Sequence, residues 1–278
     1  RVRAAVPRLL PLAESEDEGL RQAALFALAN LGDPAAGPVL SRTRVAASHR
    51  ERAQAPSLYL LHARRLAENG RTAEAVAAAR AVLQSYTGPE ESRHAAEALF
   101  LLVGAHGAQA LPDLLEAAGS PDRERRGAAL GLAPRIPGSE ATARWVDLAR
   151  TAPADVRADV VAMLGARGDE TALPFVRECL GSPDEAVRLR AIPAARSLGG
   201  ESVLPDLVAL LAKAGEAETA VLRTALLGYR GPIVVPEAVR LLDATPAPAK
   251  AALVDVRQSA REANTEMQAL LQQLRARW

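Results

Sequence analysis

Apolar residues in this chain recur at the spacing of helices, in blocks that return along the sequence. In residues 156–164, for example, valine, methionine and leucine alternate with Arg157 and Asp159 at intervals that leave one continuous apolar side. A glycine often ends such a run, as at Gly32, Gly168 and Gly199. A second apolar run follows after a short turn. Each block therefore predicts a helix, a turn and a second helix.

A proline lies just inside the second run of most blocks, where an absent N–H group costs a helix nothing. The prolines in this context are Pro7, Pro38, Pro112, Pro174, Pro205 and Pro236. Pro174, Pro205 and Pro236 are 31 residues apart, and Pro112 precedes Pro174 by 62, with Ala143 in the middle slot. Because neither helix of such a short unit can bury its apolar side alone, the units are expected to stack.

Seventeen residues before each of these positions comes a second recurring column. Its members are Arg21, Ala95, Arg126, Arg157, Arg188 and Thr219. The clearest block runs from Glu185 through Val187-Arg188 and Leu198-Gly199 to Val203-Leu204-Pro205. These residues resemble the HEAT-like repeats named after phycobilisome lyases, over residues 1–42 and about 92–245. The resemblance implies an all-α, right-handed α-solenoid with a period of about 31 residues, and a role as a scaffold and binding surface.

The period is broken between Pro38 and Pro112, which are 74 residues apart, two periods plus 12. Two helices are predicted there, at 57–67 and 72–85, with a break at Asn69-Gly70. Seven residues fall at the packing positions of a tetratricopeptide (TPR) repeat: Tyr59, Ala63, Leu66, Gly70, Ala75, Ala79 and Val82. We interpret the segment as a TPR-like hairpin inserted in the array, with a degenerate long repeat as the alternative.

The predicted organisation has four segments. Residues 1–42 hold N-terminal HEAT-like repeats, 43–91 the TPR-like hairpin, 92–245 five HEAT-like repeats and 246–278 capping helices. Since the chain opens inside a second helix, the first repeat is expected to be truncated and the array to belong to a longer chain.

Composition narrows the class further. Of 278 residues 61 are Ala and 40 are Leu, and aromatic residues make up 3%, which favours helices over a β-sandwich or barrel. Arginine supplies 32 of the 34 basic residues, a bias typical of a GC-rich bacterial genome. The net charge of +1 makes a nucleic-acid partner unexpected. No apolar run approaches the roughly 18 residues that a membrane span needs, so no membrane contact is predicted.

The outward positions of the second helices carry the candidate binding residues. We call them the acidic strip: Asp113, Glu116, Arg144, Asp147, Phe175, Glu178, Asp206 and Glu237. If the second helices line the concave side of the solenoid, carboxylates outnumber arginines there, and a basic or mixed-charge protein would bind with Phe175 as an apolar anchor. An ordinary solvated helix face is the alternative.

Other conspicuous side chains have structural explanations. Trp145 and Cys179 fall in columns otherwise filled by aliphatic residues and are predicted to be buried. We call the recurring column that begins at Arg21 the arginine column. Its arginines are expected to form an inter-repeat ladder with aspartates such as Asp33 and Asp169, and a row of phosphate-binding sites is the alternative. His94 and His106 share a repeat and could converge, but no metal site is expected.

The chain contains no Walker loop, dinucleotide-binding glycine motif or Gly-x-Ser-x-Gly motif. The expected function is therefore a non-enzymatic protein–protein interaction scaffold without cofactor, a HEAT-repeat module of a larger bacterial protein. The alternatives are a chromophore-lyase-like enzyme or accessory subunit, a HEAT-like DNA glycosylase, and a pure spacer.

Overall fold

A computed structural model of the chain describes residues 3–43, 49–85, 92–211, 213–227, 229 and 258. Over these residues the secondary structure is helical, with fourteen α-helices, short 3-10 turns and no β-strand. The chain divides into two compact units, residues 1–137 and 138–278. Each unit is built from stacked helical hairpins, so the predicted all-α solenoid class is confirmed.

Unit 1 contains eight α-helices within the described residues. They are α1 Val6–Leu12, α2 Glu18–Leu31, α3 Gly37–Arg42, α4 His49–Glu68, α5 Thr72–Ser85, α6 Ser92–His106, α7 Leu111–Ala118 and α8 Arg123–Leu132. The first helices α2, α4, α6 and α8 pack in sequence, each on the next. The second helices α1, α3, α5 and α7 pack against this layer and form the other layer of the stack.

Unit 2 repeats this arrangement. Its helices are α9 Ser139–Thr151, α10 Ala154–Arg167, α11 Leu173–Leu180, α12 Glu185–Gly199, α13 Leu204–Leu211 and α14 Glu216–Leu227. The first helices α10, α12 and α14 pack on one another, while α9, α11 and α13 each pack on the first helix that follows them.

The turns between helices form for local reasons. At the end of α10, Gly168 adopts a left-handed φ of 72° that ends the helix. Asp169 then accepts a hydrogen bond from the backbone N–H of Thr171 at 3.1 Å, which caps the 3-10 turn Glu170–Ala172. Pro174 sits in the first turn of α11, as its position in the sequence predicts.

One column of the second helices forms the centre of each repeat. Leu114, Trp145, Val176 and Leu207, each two residues after the proline position, are 0% exposed. The prediction that Trp145 is a core residue is therefore confirmed, and its ring is not available to stack on a ligand.

The break in the period corresponds to α4 and α5. The helix α5 begins and ends as predicted, but α4 begins at His49 rather than Ser57 and continues through Pro56. The expected start was wrong because Pro56 does not end the helix. A proline inside a helix removes one backbone hydrogen bond, and tertiary packing compensates for that loss at Pro56, which is buried. The TPR-like identity of this hairpin stays a prediction.

One stretch corrects the sequence-based statement about apolar runs. Ser92–Ala118, 27 residues long, includes a window with a mean hydropathy of 1.4, enough in length and composition for a membrane span. In the structure Gly107, with φ 57°, divides it into α6 and α7. Ala95, Leu99 and Leu102 of α6 are buried in the helical stack.

Small residues allow the first helices α10 and α12 to approach closely. A Cβ atom at Gly165 of α10 would lie 2.6 Å from both the Cα and the Cβ of Ala194 in α12. Such contacts explain the abundance of alanine, since larger side chains would push the first helices apart. Apart from residue 258, the predicted cap at 246–278 lies outside the described residues, as does the end of the last repeat.

We expect Gly165→Ala to destabilise unit 2 by about 1–3 kcal/mol, because its methyl group would overlap the backbone of Ala194. Urea unfolding measures the loss. Gly131→Ala is the matched control: it also lies in a first helix, a Cβ there meets nothing within 4 Å, and it should gain stability through helix propensity. Equal effects of the two substitutions would contradict the close approach.

Candidate protein-binding surface

In unit 1 the acidic strip is represented by two residues of α7. Asp113 is bound by Arg80 of α5 through two parallel hydrogen bonds of 2.9 Å, and its side chain is 13% exposed. Glu116 is exposed and borders a small cleft that Arg80 and Arg125 also line. The negative charge of Asp113 is therefore compensated by Arg80 and is not free to bind a partner.

In unit 2 the strip forms a ladder of ion pairs between neighbouring second helices. Arg150 of α9 donates two hydrogen bonds, of 2.7 and 3.2 Å, to the carboxylate of Glu178 on α11. Arg177 of α11 lies 3.1 Å from a carboxylate oxygen of Asp206 on α13. The hydrogen bond from Arg150 lowers the pKa of Glu178. We call these four residues the charge ladder.

The charge ladder corrects the predicted acidity of this surface. The prediction counted only two positions per repeat and so left out Arg150 and Arg177, which lie elsewhere on α9 and α11. It also left out Arg80, which lies on α5 in the predicted TPR-like hairpin. Each of these arginines reaches a carboxylate of the next second helix. Their partners are 33, 28 and 29 residues further along the chain, close to one period. A search for opposite charges about one period apart would have found them.

Phe175 is not the exposed apolar anchor that its position predicts. Its side chain is 6% exposed, and the guanidinium of Arg150 lies over the ring, 4.9 Å from its centroid. A large ring at this position gains more by packing under the neighbouring arginine than by pointing to water. Phe175 therefore supports the charge ladder from beneath.

Two strip residues of α9 remain exposed. Arg144 and Asp147 both face solvent, and no ion pair joins either of them to another described residue. Glu237 lies outside the described residues. The part of the strip in unit 2 that is open to a partner thus consists of Arg144 and Asp147 beside the exposed charge ladder.

The arginine column is structural, as the resemblance to HEAT repeats implied. Arg126 is 1% exposed and donates to the carbonyl oxygens of Ser120, at 2.8 Å, and Pro121, at 3.4 Å. Arg188 binds the equivalent carbonyls of Ser182 and Pro183 at 2.7 and 3.0 Å. These guanidinium groups close the turn before each first helix.

The partners of this column differ from the predicted aspartates. Arg21 and Arg188 each reach a glutamate 30 residues further along, Glu51 and Glu218, in the next first helix of their unit. Asp33 and Asp169 instead cap 3-10 turns. Because these guanidinium groups bind carbonyl and carboxylate oxygens of the protein itself, we interpret the column as structural rather than as a row of phosphate-binding sites.

The histidines do not converge. His94 and His106 are 12 residues apart on the single helix α6, and a rise of 1.5 Å per residue separates them by about 18 Å. No cluster of three or more metal-binding side chains occurs among the residues that the structure describes.

Cys179 is buried, as its column predicts. Removal from water raises the pKa of its thiol to about 11. The thiol therefore stays protonated at neutral pH and serves as a small apolar side chain in α11.

Comparison with known proteins supports the class of repeat. Residues 142–226, within unit 2, match the family of HEAT repeats. The matched region begins in α9 and ends in α14, and it contains the charge ladder and two members of the arginine column. No curated protein matches the chain.

Arg126→Met should destabilise unit 1 by about 1–3 kcal/mol, because the carbonyl groups of Ser120 and Pro121 would lose a buried donor while the methionine fills the space of the arginine stem. Arg123→Met, an exposed position of the same helix, is the control and should change stability little. Both are measured by urea unfolding. An Arg126→Met variant as stable as the unmodified protein would contradict the structural role of the arginine column.

Cys179 should react slowly with a thiol reagent such as DTNB at pH 8 in the native protein. With a pKa of about 11, only about one thiol in a thousand is ionised at that pH, and burial blocks access as well. Adding urea to unfold the chain should accelerate labelling by at least about tenfold. Equal rates in native and unfolded protein would contradict the burial of this thiol.

Proposed function

We propose that this protein is a non-enzymatic protein-binding module, and that the exposed face of α9, α11 and α13 contacts the partner. One observation carries the proposal. The buried column of these helices stays apolar from repeat to repeat, whereas the neighbouring exposed positions change in sign and size. A surface of this kind can vary its contacts without altering the fold that presents it.

The proposed partner is a protein of mixed charge. The charge ladder places arginines and carboxylates alternately along this face, each about half exposed. A partner with complementary alternating charges would gain orientation and specificity from them, while a uniformly basic partner would also meet Arg144, Arg150 and Arg177. We therefore favour the mixed-charge partner over the purely basic one.

Three buried charged side chains also support binding rather than catalysis, because each of them stabilises the fold. Glu51, Arg126 and Glu218 are buried, and each serves a turn or a contact between repeats. We propose accordingly that the module needs no cofactor and acts on neither nucleic acid nor membrane.

The proposal also includes the types of repeat that build the module. Repeats of the phycobilisome-lyase type are supported by the 31-residue period, and a TPR-like hairpin by the burial of Ala63, Leu66, Ala75, Ala79 and Val82.

A charge swap on α9 tests the proposed face. Arg144→Glu combined with Asp147→Lys keeps the net charge and touches two exposed side chains, so the melting temperature should stay unchanged. A partner captured with the unmodified protein and then purified should bind the double variant at least about tenfold more weakly, because both charges would be reversed.

The control for this swap is Arg123→Glu with Glu124→Arg on α8, two exposed residues outside the proposed face. It should leave the affinity, measured by calorimetry, as it is in the unmodified protein. Unchanged binding of the α9 swap, or an equal loss in the control, would contradict the assignment of the face.

A further inference from the structure

A groove lies between the first helices α12 and α14 of unit 2, in the layer opposite to the second helices. It has a volume of about 610 Å³, within the range of about 300–1,000 Å³ typical of ligand-sized concavities. Pro193, Arg196 and Ser197 line it from α12, and Ala220, Val221 and Thr224 from α14. Most of these side chains are exposed, so the groove is open to solvent.

The residues that form the groove explain why it exists. On the α14 side alanine, valine and threonine are too short to fill the space between the helices. On the α12 side Pro193 stands inside the helix, where it has no N–H to donate to the preceding turn. By contrast α10 and α12 meet closely at Gly165 and Ala194, so the gap is a property of this particular pair of helices.

The groove carries a positive charge at one side. The guanidinium of Arg196 lies 5.4 Å from the centroid of the Tyr229 ring, whose hydroxyl donates to the carbonyl oxygen of Gly200 at 2.8 Å. None of the described lining residues is acidic, and within the described part of the chain no carboxylate forms an ion pair with Arg196. Glu201 also acts electrostatically on Tyr229 but forms no ion pair with Arg196. A cation beside an apolar surface that no described carboxylate pairs with is suited to an anionic group.

We infer that the groove between α12 and α14 binds an amphipathic helix of a partner protein, with apolar residues on the groove floor and an acidic residue at Arg196. An open groove suits a helix, because the helix keeps its polar side in water, whereas a small ligand needs a more enclosed pocket. The site lies on first helices and does not depend on the face proposed for α9, α11 and α13.

Selection from a displayed library of helix-forming 16-residue peptides, with the full chain as bait, tests this inference without knowledge of the natural partner. We expect the selected peptides to carry apolar residues at i, i+4 and i+7 spacing with a flanking Asp or Glu. Recovery of peptides that lack acidic residues, or of none above background, would overturn the inference.

Variants of the bait then locate the site. Binding of a selected peptide, followed by fluorescence anisotropy, should weaken at least tenfold in Arg196→Gln and in Ala220→Trp, which fills the groove from an exposed position. Arg123→Gln on α8 removes an equal charge from an exposed position outside both proposed surfaces and should leave binding intact. Circular dichroism confirms that the variants are folded. Full affinity in folded Ala220→Trp would show that the peptide binds elsewhere and would overturn the inference.

Discussion

The close packing of successive first helices is the contact on which the rest of the structure depends. A hairpin of about 31 residues has too little apolar surface to fold alone, so each must bury one side against the next. Where α10 meets α12, Gly165 and Ala194 leave no room for a larger side chain. The alanine-rich composition therefore reflects a requirement of the interface between repeats as well as helix propensity.

Polar groups are arranged around this apolar stack in two ways. The arginine column closes the turns that precede the first helices, where carbonyl oxygens would otherwise be buried without donors. The charge ladder joins the second helices on the other side through exposed pairs, each of which contributes little stability in water. The first arrangement supports the fold, whereas the second shapes a surface that a partner can contact.

The two helix layers consequently differ in what they offer a partner. The second helices of unit 2 present alternating charges with little apolar surface, because Phe175 is covered by Arg150. The first helices α12 and α14 present an apolar groove beside one cation, because short side chains and Pro193 leave a gap there. Two faces of unit 2 thus favour chemically different contacts.

The sequence by itself determined the helices apart from the start of α4, their pairing into hairpins and the buried columns that include Trp145 and Cys179. Periodicity, glycine stops and first-turn prolines are local signals. Tertiary structure decided which charges pair and where Phe175 points. Arg150 and Glu178 meet only because α9 and α11 are packed at a particular offset, and a 31-residue period does not specify that offset or the side-chain rotamers. The groove beside Arg196 likewise appears only in the folded protein, because its lining residues come from both α12 and α14.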